Sequence, residues 1–527
     1  MNGWGQILAA ARSERDVFES ACATPRASQG ALLRRILEAN ADSDFGRIHR
    51  FETIGSLEEF RARVPIRGYE EFAPWLDRVA AGQASVLTRE PVIAFEETGG
   101  SRSGRKLVPY TASSLRAFGA AVLPWLATLA ERRPGAFAGK AYVAISPMTR
   151  RPRHIGGIPV GLAGEGAYLG ADLVAAFMDV LAVPPAVASL TDADEWRFAT
   201  LAHLLASADL TIVSIWSPTF LISLLDAIPG LAEPLVRAIC DGMTGIAADP
   251  ARAKCIDMAL ARNPIDTERL WPRLDTVSAW ADGASRFYAR RLAGMLPHSV
   301  LQPKGLLATE GAVTTNCCLS WPVPALTSAV LEFVDEADTP HWCDELQVGA
   351  SYRVIMTHHG GFYRYDLGDR LCCRGHAGPL PMLEFVGREI MSDLVGEKLS
   401  EAFISEALSL VDGAACLAPR PARRPFYELL VESRRATDQP LAAALVDERL
   451  CANPQYAYAR RIGQLGPVVM RKVDGLFDRY MRAALFPGRR LSDVKPPTLI
   501  DDARIYEAMT NQVESRILDY RSSFLTA

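Results

Sequence analysis

Apolar residues recur at helical spacing in Ala31–Asn40 (ALLRRILEAN), within a stretch over residues 1–90 that reads as helical and irregular. From residue 91 to 400 the rhythm changes. Short runs rich in β-branched and aromatic residues alternate with helix-like segments; examples are Lys140–Ile145, Leu210–Ile215, Thr276–Trp280 and Tyr352–Met356. That alternation predicts an α/β protein. The Pro-, Ala- and Arg-rich segment 412–425 (DGAACLAPRPARRP) reads as a break. Beyond it, Phe426–Val431 reads as a strand, and Leu441–Leu450 and Gly475–Phe486 as helices. The pattern predicts a large N-terminal domain of sheets with packed helices, residues 1–398, and a small C-terminal α/β domain, residues 399–527.

Composition narrows the class. A chain of 527 residues is too long for one ordinary core, and 49% hydrophobic with 22% charged residues fits a soluble globular protein. The net charge of −4 gives no global basic field, so nucleic acid is not an expected partner. The longest apolar run, Leu210–Leu225, is 16 residues and holds Ser214, Ser217 and Pro218. It falls short of the ~20 residues a membrane helix needs and reads as buried core, and the N-terminus does not read as a signal peptide. The expectation is a cytoplasmic protein with no membrane partner. The 10 cysteines show no CxxC spacing and read as reduced thiols.

Three segments carry chemistry. Phe95–Thr111 (FEETGGSRSGRKLVPYT) interleaves Gly99, Gly100 and Gly104 with Thr98, Ser101 and Ser103, and Lys106 follows. Glycines admit close backbone approach, and N–H groups, hydroxyls and a cation together suit phosphate oxygens. GxxxxGK[ST] does not fit, so this is no Walker loop; a surface turn is the other reading. Leu306–Gly311 (LLATEG) sets Thr309 and Glu310 at the end of a short apolar run, where a carboxylate suits Mg²⁺ or is simply a loop acid. Gly360–Arg370 (GGFYRYDLGDR) places Asp369 after Gly368 in what reads as a tight turn, suited to a ribose diol or to capping the turn. In Val386–Glu401, Arg388 and Lys398 are cations for ribose, phosphate or acyl-adenylate oxygens, or else surface charges, and Gly396 suits a hinge.

Taken in order, these segments resemble the Gretchen-Hagen-type family of auxin-responsive acyl acid amido synthetases, in particular its bacterial members, within the firefly-luciferase-like adenylating superfamily. Further matching stretches are Asn40–Phe51, Val64–Phe72, Gly156–Leu162, Ser214–Leu221, Ser278–Ala284, Gln455–Pro467 and Asp493–Pro497 (DVKPP). The resemblance implies an adenylating-enzyme fold with a mobile C-terminal domain. It implies ATP-dependent activation of a carboxylic acid as acyl-AMP, followed by transfer to an amine, with ATP and Mg²⁺ as cofactors. Thr98, Gly100, Ser101, Ser103 and Lys106 match the nucleotide phosphate loop. Thr309 and Glu310 fall on the second motif, whose acid contacts the ATP–Mg²⁺ region. Asp369 matches the ribose-binding aspartate and Arg388 the nucleotide-contacting arginine. Lys398 matches the hinge lysine, and Lys495 the C-terminal-domain lysine that reaches the site during adenylation.

The chain departs from the family at Gly99, often Ser, and at Arg102, where a small hydroxyl residue is common. Transfer to the thiol of coenzyme A or of a carrier protein, and a non-catalytic nucleotide-binding homologue, are the alternatives. For the acid pocket, Trp216, Pro218 and Phe220 with Arg150, Arg151 and Trp280 suit an acid; the tryptophans also read as core. His358-His359 lacks a third ligand at a fitting spacing and reads as loop or core.

Overall fold

The computed structural model describes residues 3–100, 104–143, 153–162, 165–317, 321–388, 391–392, 394–397, 399–432, 439–484 and 494–510. The chain opens with helices Gly3–Ala23 and Pro25–Asn40. In the second, Leu32, Leu33, Ile36, Leu37 and Asn40 fall on one buried face, as their spacing requires.

The large part is built on two main sheets. Four parallel strands lie in the order Lys140–Val143, Leu210–Ser214, Thr276–Ala279, Val300–Pro303, joined by helical crossovers. The two central strands, Leu210–Ser214 and Thr276–Ala279, are buried almost throughout, and Phe220, fully buried, packs on Trp196 with ring centroids 5.7 Å apart. Burial of each such ring is worth about 1.5–3 kcal/mol. The second sheet is antiparallel: Pro340–His341, Val330–Val334, Ser351–Thr357, Tyr365–Ala377, Leu380–Arg388.

The helix Ala112–Arg132 links the first glycine-rich segment to the core. Thr111 and Ser114 cap it reciprocally: Ser114 N–H donates to Thr111 Oγ1 at 3.1 Å, and Thr111 N–H to Ser114 Oγ at 2.8 Å.

Pro218–Asp241 is 24 residues with mean hydropathy 1.5, long and apolar enough to cross a membrane by composition. It is divided by a 3₁₀ turn at Pro229–Leu231, and Phe220, Leu224, Leu235 and Ile239 are buried in the core.

The segment 412–425 is not a simple break. It holds the strand Ala414–Arg420, antiparallel to Phe426–Glu432, which in turn pairs in parallel with Val469–Lys472. Alternation explains the composition. Ala414, Cys416 and Ala418 pack into a core shared with the large domain, while Leu417 packs into the small domain's own core. Small side chains let the two bodies approach there, and Tyr288 meets Phe477 at 5.2 Å across the same core.

Candidate active site

The parallel sheet ends in a row of functional side chains. Trp216, Trp280 and Lys304 follow the carboxyl ends of three adjacent strands, where open α/β sheets bind ligands. The rings of Trp216 and Trp280 meet at 5.7 Å. Trp216 and Trp280 are half-buried, so both were partly core and partly site. Pro218 and Phe220 are buried, and Phe220 belongs to the core of the parallel sheet. Arg150 and Arg151 lie outside the described residues.

The glycine-rich segment is a β-hairpin. Ala94–Gly100 pairs with Gly104–Tyr110, and Thr98 stands opposite Lys106, Gly100 opposite Gly104. Ser101 and Ser103 fall outside the described residues, as does Lys398. The Lys106 ammonium lies 5.1 Å from the Tyr69 ring centre, and Tyr69 Oη accepts from Leu107 N–H at 2.7 Å. Glu97, buried within the first strand of this hairpin, is paired with Arg153.

Thr309 and Glu310 form the two-residue turn between Leu307–Ala308 and Gly311–Ala312. Gly311 packs closely under Met356, whose Sδ would lie 2.9 Å from a Cβ there and would have to move. Tyr110 Oη donates to the Thr309 carbonyl at 2.5 Å, and Tyr365 Oη donates to Glu310 Oε1 at 3.4 Å. Burial, then the nearby Glu310 charge, holds the Tyr365 hydroxyl far above its ordinary pKa. Glu310 is 9% exposed.

Asp369 lies inside the strand Tyr365–Ala377, not in a turn. Gly368 takes φ +69°, and the pairing with Ser351–Thr357 shifts register across this stretch. The result is a bulge that presents Asp369, a conformation glycine adopts freely. Asp369 stands directly opposite Arg388 in the ladder, and Arg388 Nε donates to Asp369 Oδ1 at 2.8 Å. Asp369 Oδ2 is buried with no hydrogen-bond partner among the described residues. Chiefly through Asp369, with Glu310 and Glu401 adding, the Arg388 guanidinium is held more firmly protonated than usual.

Lys495 comes to the same cleft from the far end of the chain. Its segment is docked on the small sheet: Leu417 N–H donates to the Thr498 carbonyl at 3.0 Å, and Ile500 N–H to the Leu417 carbonyl at 2.8 Å. The Lys495 ammonium sits 4.5 Å from the Trp280 ring centre while part of the residue stays exposed. Crowding by the cleft walls, then repulsion from Arg388, lowers its pKa, against the attraction of Asp369, Glu401 and Glu310. Glu401, hydrogen-bonded by Thr498, is raised by burial.

The cleft therefore gathers Glu310, Asp369, Arg388 and Lys495, with Thr309 in the adjoining turn and the hairpin Thr98–Lys106 nearby. His358 is buried behind Glu310, on a small cavity that both line: Gly360 N–H donates to its Nδ1 at 2.8 Å, and burial pushes the imidazole down to about 3. Among the described residues no cluster of three metal-ligating side chains occurs. Glu310 alone fits an ion that is held mainly by substrate phosphates, as Mg²⁺ is.

The sequence model of the GH3 family N-terminal domain matches residues 14–301, that of the central domain 323–388 and that of the C-terminal domain 394–504. The chain belongs to the GH3 family. Among its GH3 relatives, the probable indole-3-acetic acid-amido synthetase GH3.4 of Oryza sativa subsp. japonica is 25% identical, over 92% of this chain and 88% of that protein. The solved GH3.15 acyl acid amido synthetase superposes with a TM-score of 0.81 at 19% identity, covering 94% of this chain and 95% of that one. A 2-hydroxyisobutyryl-CoA ligase in the postadenylation state superposes with a TM-score of 0.53 at 12% identity, covering 92% and 91%. The GH3 fold here is thus a variant of the adenylating-enzyme fold, with a large N-terminal and a smaller C-terminal part.

Sequence reasoning missed Glu401, Tyr365 and Lys304. Glu401 closes the very segment that carries Arg388, so its position beside that arginine was a readable signal. Tyr365 and Lys304 gave none, since both depend on strand pairing over long separations. Glu397 was also missed. It is fully buried, and it accepts from Leu394 N–H and Val395 N–H, both at 2.8 Å, and from the Tyr427 hydroxyl. Gly396, at φ +104°, makes the turn that this carboxylate closes.

Proposed function

We propose that this GH3 protein uses ATP to activate a small carboxylic acid as its acyl-AMP and transfers the acyl group to the amine of an amino acid, forming an amide. The observation that carries the reading is the free, buried oxygen of Asp369 beside Arg388, in one cleft with Glu310 and Lys495. A carboxylate with an open acceptor suits a ribose hydroxyl, and two cations suit the meeting of two anions.

In the first step a carboxylate oxygen of the acid attacks the α-phosphorus, and the bond to the bridging oxygen breaks to release pyrophosphate. Lys495 and Arg388 face the charge that develops there. In the second step the amine nitrogen attacks the acyl carbon, the bond to AMP breaks, and the amine loses a proton. Thr98, Gly100, Ser101, Ser103 and Lys106 are assigned to the phosphates, Thr309 to the nucleotide, and Lys398, with Lys495, to the charge that develops in the first step. Mg²⁺, held by Glu310 with the substrate phosphates, would neutralise phosphate charge when bound.

The names of the relatives support the acid and amine substrates. Between the steps we propose that the small domain rotates and withdraws Lys495. Leu394, Val395, Glu397 and Leu399 are tied to the small domain through Tyr427 and its core, so the proposed rotation carries them with it, although 1–398 was read as the large domain. The nine described cysteines are free thiols, which suits the cytoplasm.

The test is ATP–pyrophosphate exchange across aryl and alkyl acids with and without Mg²⁺, followed by mass spectrometry of products with amino acids, hydroxylamine and coenzyme A. Acid-dependent exchange with amide products is the expected result. Thioester as the dominant product, or ATP binding without exchange for any acid, overturns the reading.

A further inference from the structure

A second cavity, of about 110 Å³, lies behind the tryptophan pair. Phe118 and Trp125 of the helix Ala112–Arg132, with Tyr168, Trp216 and Leu307, form an apolar wall. Among the residues lining it, only Lys304 carries a charge. The Lys304 ammonium lies 5.3 Å from the ring centres of both Trp125 and Trp216, and it donates to Ser214 Oγ at 2.7 Å. Asn316 lines the same cavity. Its Nδ2 donates to the Pro303 carbonyl, which fixes the amide's orientation and leaves Oδ1 buried without a partner among the described residues.

The cavity and the cleft are back to back. Lys495 rests on Trp280, Trp280 meets Trp216, and Trp216 meets Lys304. Leu307, on the cavity wall, is two residues from Thr309 and three from Glu310. An acid whose carboxyl faces Lys495 therefore sets its body against Trp216 and its far end near Lys304.

An ammonium in an apolar wall is costly to strip of water. A wholly apolar acid filling this space adds no partner to the ammonium. An acid carrying an acceptor at its far end adds a charge-assisted hydrogen bond, and sites built this way reject analogues that lack the polar group.

We propose that this cavity takes the body of the acyl acid and that Lys304 selects acids with a second hydrogen-bond acceptor, such as a hydroxyl, oxo or carboxylate group, remote from the reacting carboxyl. The inference rests on the adenylation reading above for the direction in which the acid lies. Lys304 is here a specificity-determining residue.

The test is calorimetric titration of the full chain without ATP, using the matched pairs phenylacetate with 4-hydroxyphenylacetate and hexanoate with adipate. Wild type is expected to bind the acceptor-bearing member of at least one pair about 10–100-fold tighter, the range of one hydrogen bond to a charged group. Lys304→Met is expected to erase or invert that preference. Lys304→Gln, which keeps a donor without charge, covers the case in which Met misfolds; it should keep the preference for hydroxyl and lose the preference for carboxylate. Identical preferences in wild type and both variants overturn the proposal, as does wild type binding none of the four acids. Equal loss of every acid in Lys304→Met, with ATP binding intact, also overturns it, because Lys304 then serves the reacting carboxyl. Pyrophosphate exchange is read separately: a Lys304-dependent preference without exchange leaves the acid site standing and defeats the adenylation reading alone.

Discussion

Arg388 and Asp369 face each other across paired strands, and their 2.8 Å hydrogen bond occupies one carboxylate oxygen while the other has no partner among the described residues. The pair is half of a recognition element, preset on the rigid sheet, with an acceptor left for the nucleotide. Asp369→Asn keeps the shape and removes the charge. It should raise the KM for ATP in pyrophosphate exchange about 10–100-fold, the worth of a hydrogen bond to a charged acceptor. Unchanged KM and kcat in this variant would remove Asp369 from the nucleotide site.

Lys495 gives a pH prediction with a definite sign. Its pKa is lowered below the ordinary lysine value of 10.5, first by crowding in the cleft and then by Arg388. The protonated form is the one that stabilises developing charge, so exchange should fall as pH rises through the lowered value, earlier than for an ordinary lysine. Lys495→Arg should abolish that alkaline limb, and Lys495→Ala should lower kcat on the order of 10²-fold or more at neutral pH. Because part of Lys495 is exposed, the midpoint of urea unfolding should not change.

Asp282 couples stability to pH. Burial, with the neighbouring Glu384, raises its carboxyl to about 6, against the pull of Arg286 and Arg374. A carboxyl raised on folding favours the native state fully below its ordinary value, and that contribution is lost as pH rises through 6. Asp282→Asn should therefore match wild type near pH 4 and exceed it above pH 7, by on the order of 2–3 kcal/mol. Urea denaturation at both pH values checks this; a constant difference across the range would place the shift elsewhere.

Glu397 closes the turn that joins the two bodies. Glu397→Ala removes the acceptor of the Leu394 and Val395 N–H groups and one partner of the Tyr427 hydroxyl, which keeps Ser392 Oγ at 2.9 Å. The expected loss is on the order of 2–4 kcal/mol in urea unfolding, with Tyr427→Phe costing less. If the small domain carries this turn, Glu397→Ala should also slow amide formation more than pyrophosphate exchange, measured on the same preparation.

The strands Leu210–Ser214 and Thr276–Ala279 were legible because buried parallel strands are written as short continuous apolar runs. Glu310 and Asp369 were legible because each sits in a compact motif whose glycines mark the backbone geometry around it. The strand Ala414–Arg420 was not, because alanines chosen for close packing between bodies have the same composition as a linker. The bulge at Gly368 read as a turn, since one glycine at positive φ serves both. The cavity around Lys304 was invisible for a different reason: Trp125, Ser214, Trp216 and Lys304 come from separate elements and meet only when the parallel sheet and the helix Ala112–Arg132 are assembled.

The seat of Lys495 on Trp280 has an optical corollary. An ammonium 4.5 Å from an indole centre perturbs that ring's excited state, and the proposed rotation of the small domain would break the contact. Trp280 thus carries a built-in fluorescence readout of domain posture. The difference in emission between the native chain and Trp280→Phe, followed through a single turnover, would time the departure and return of the small domain without any attached dye.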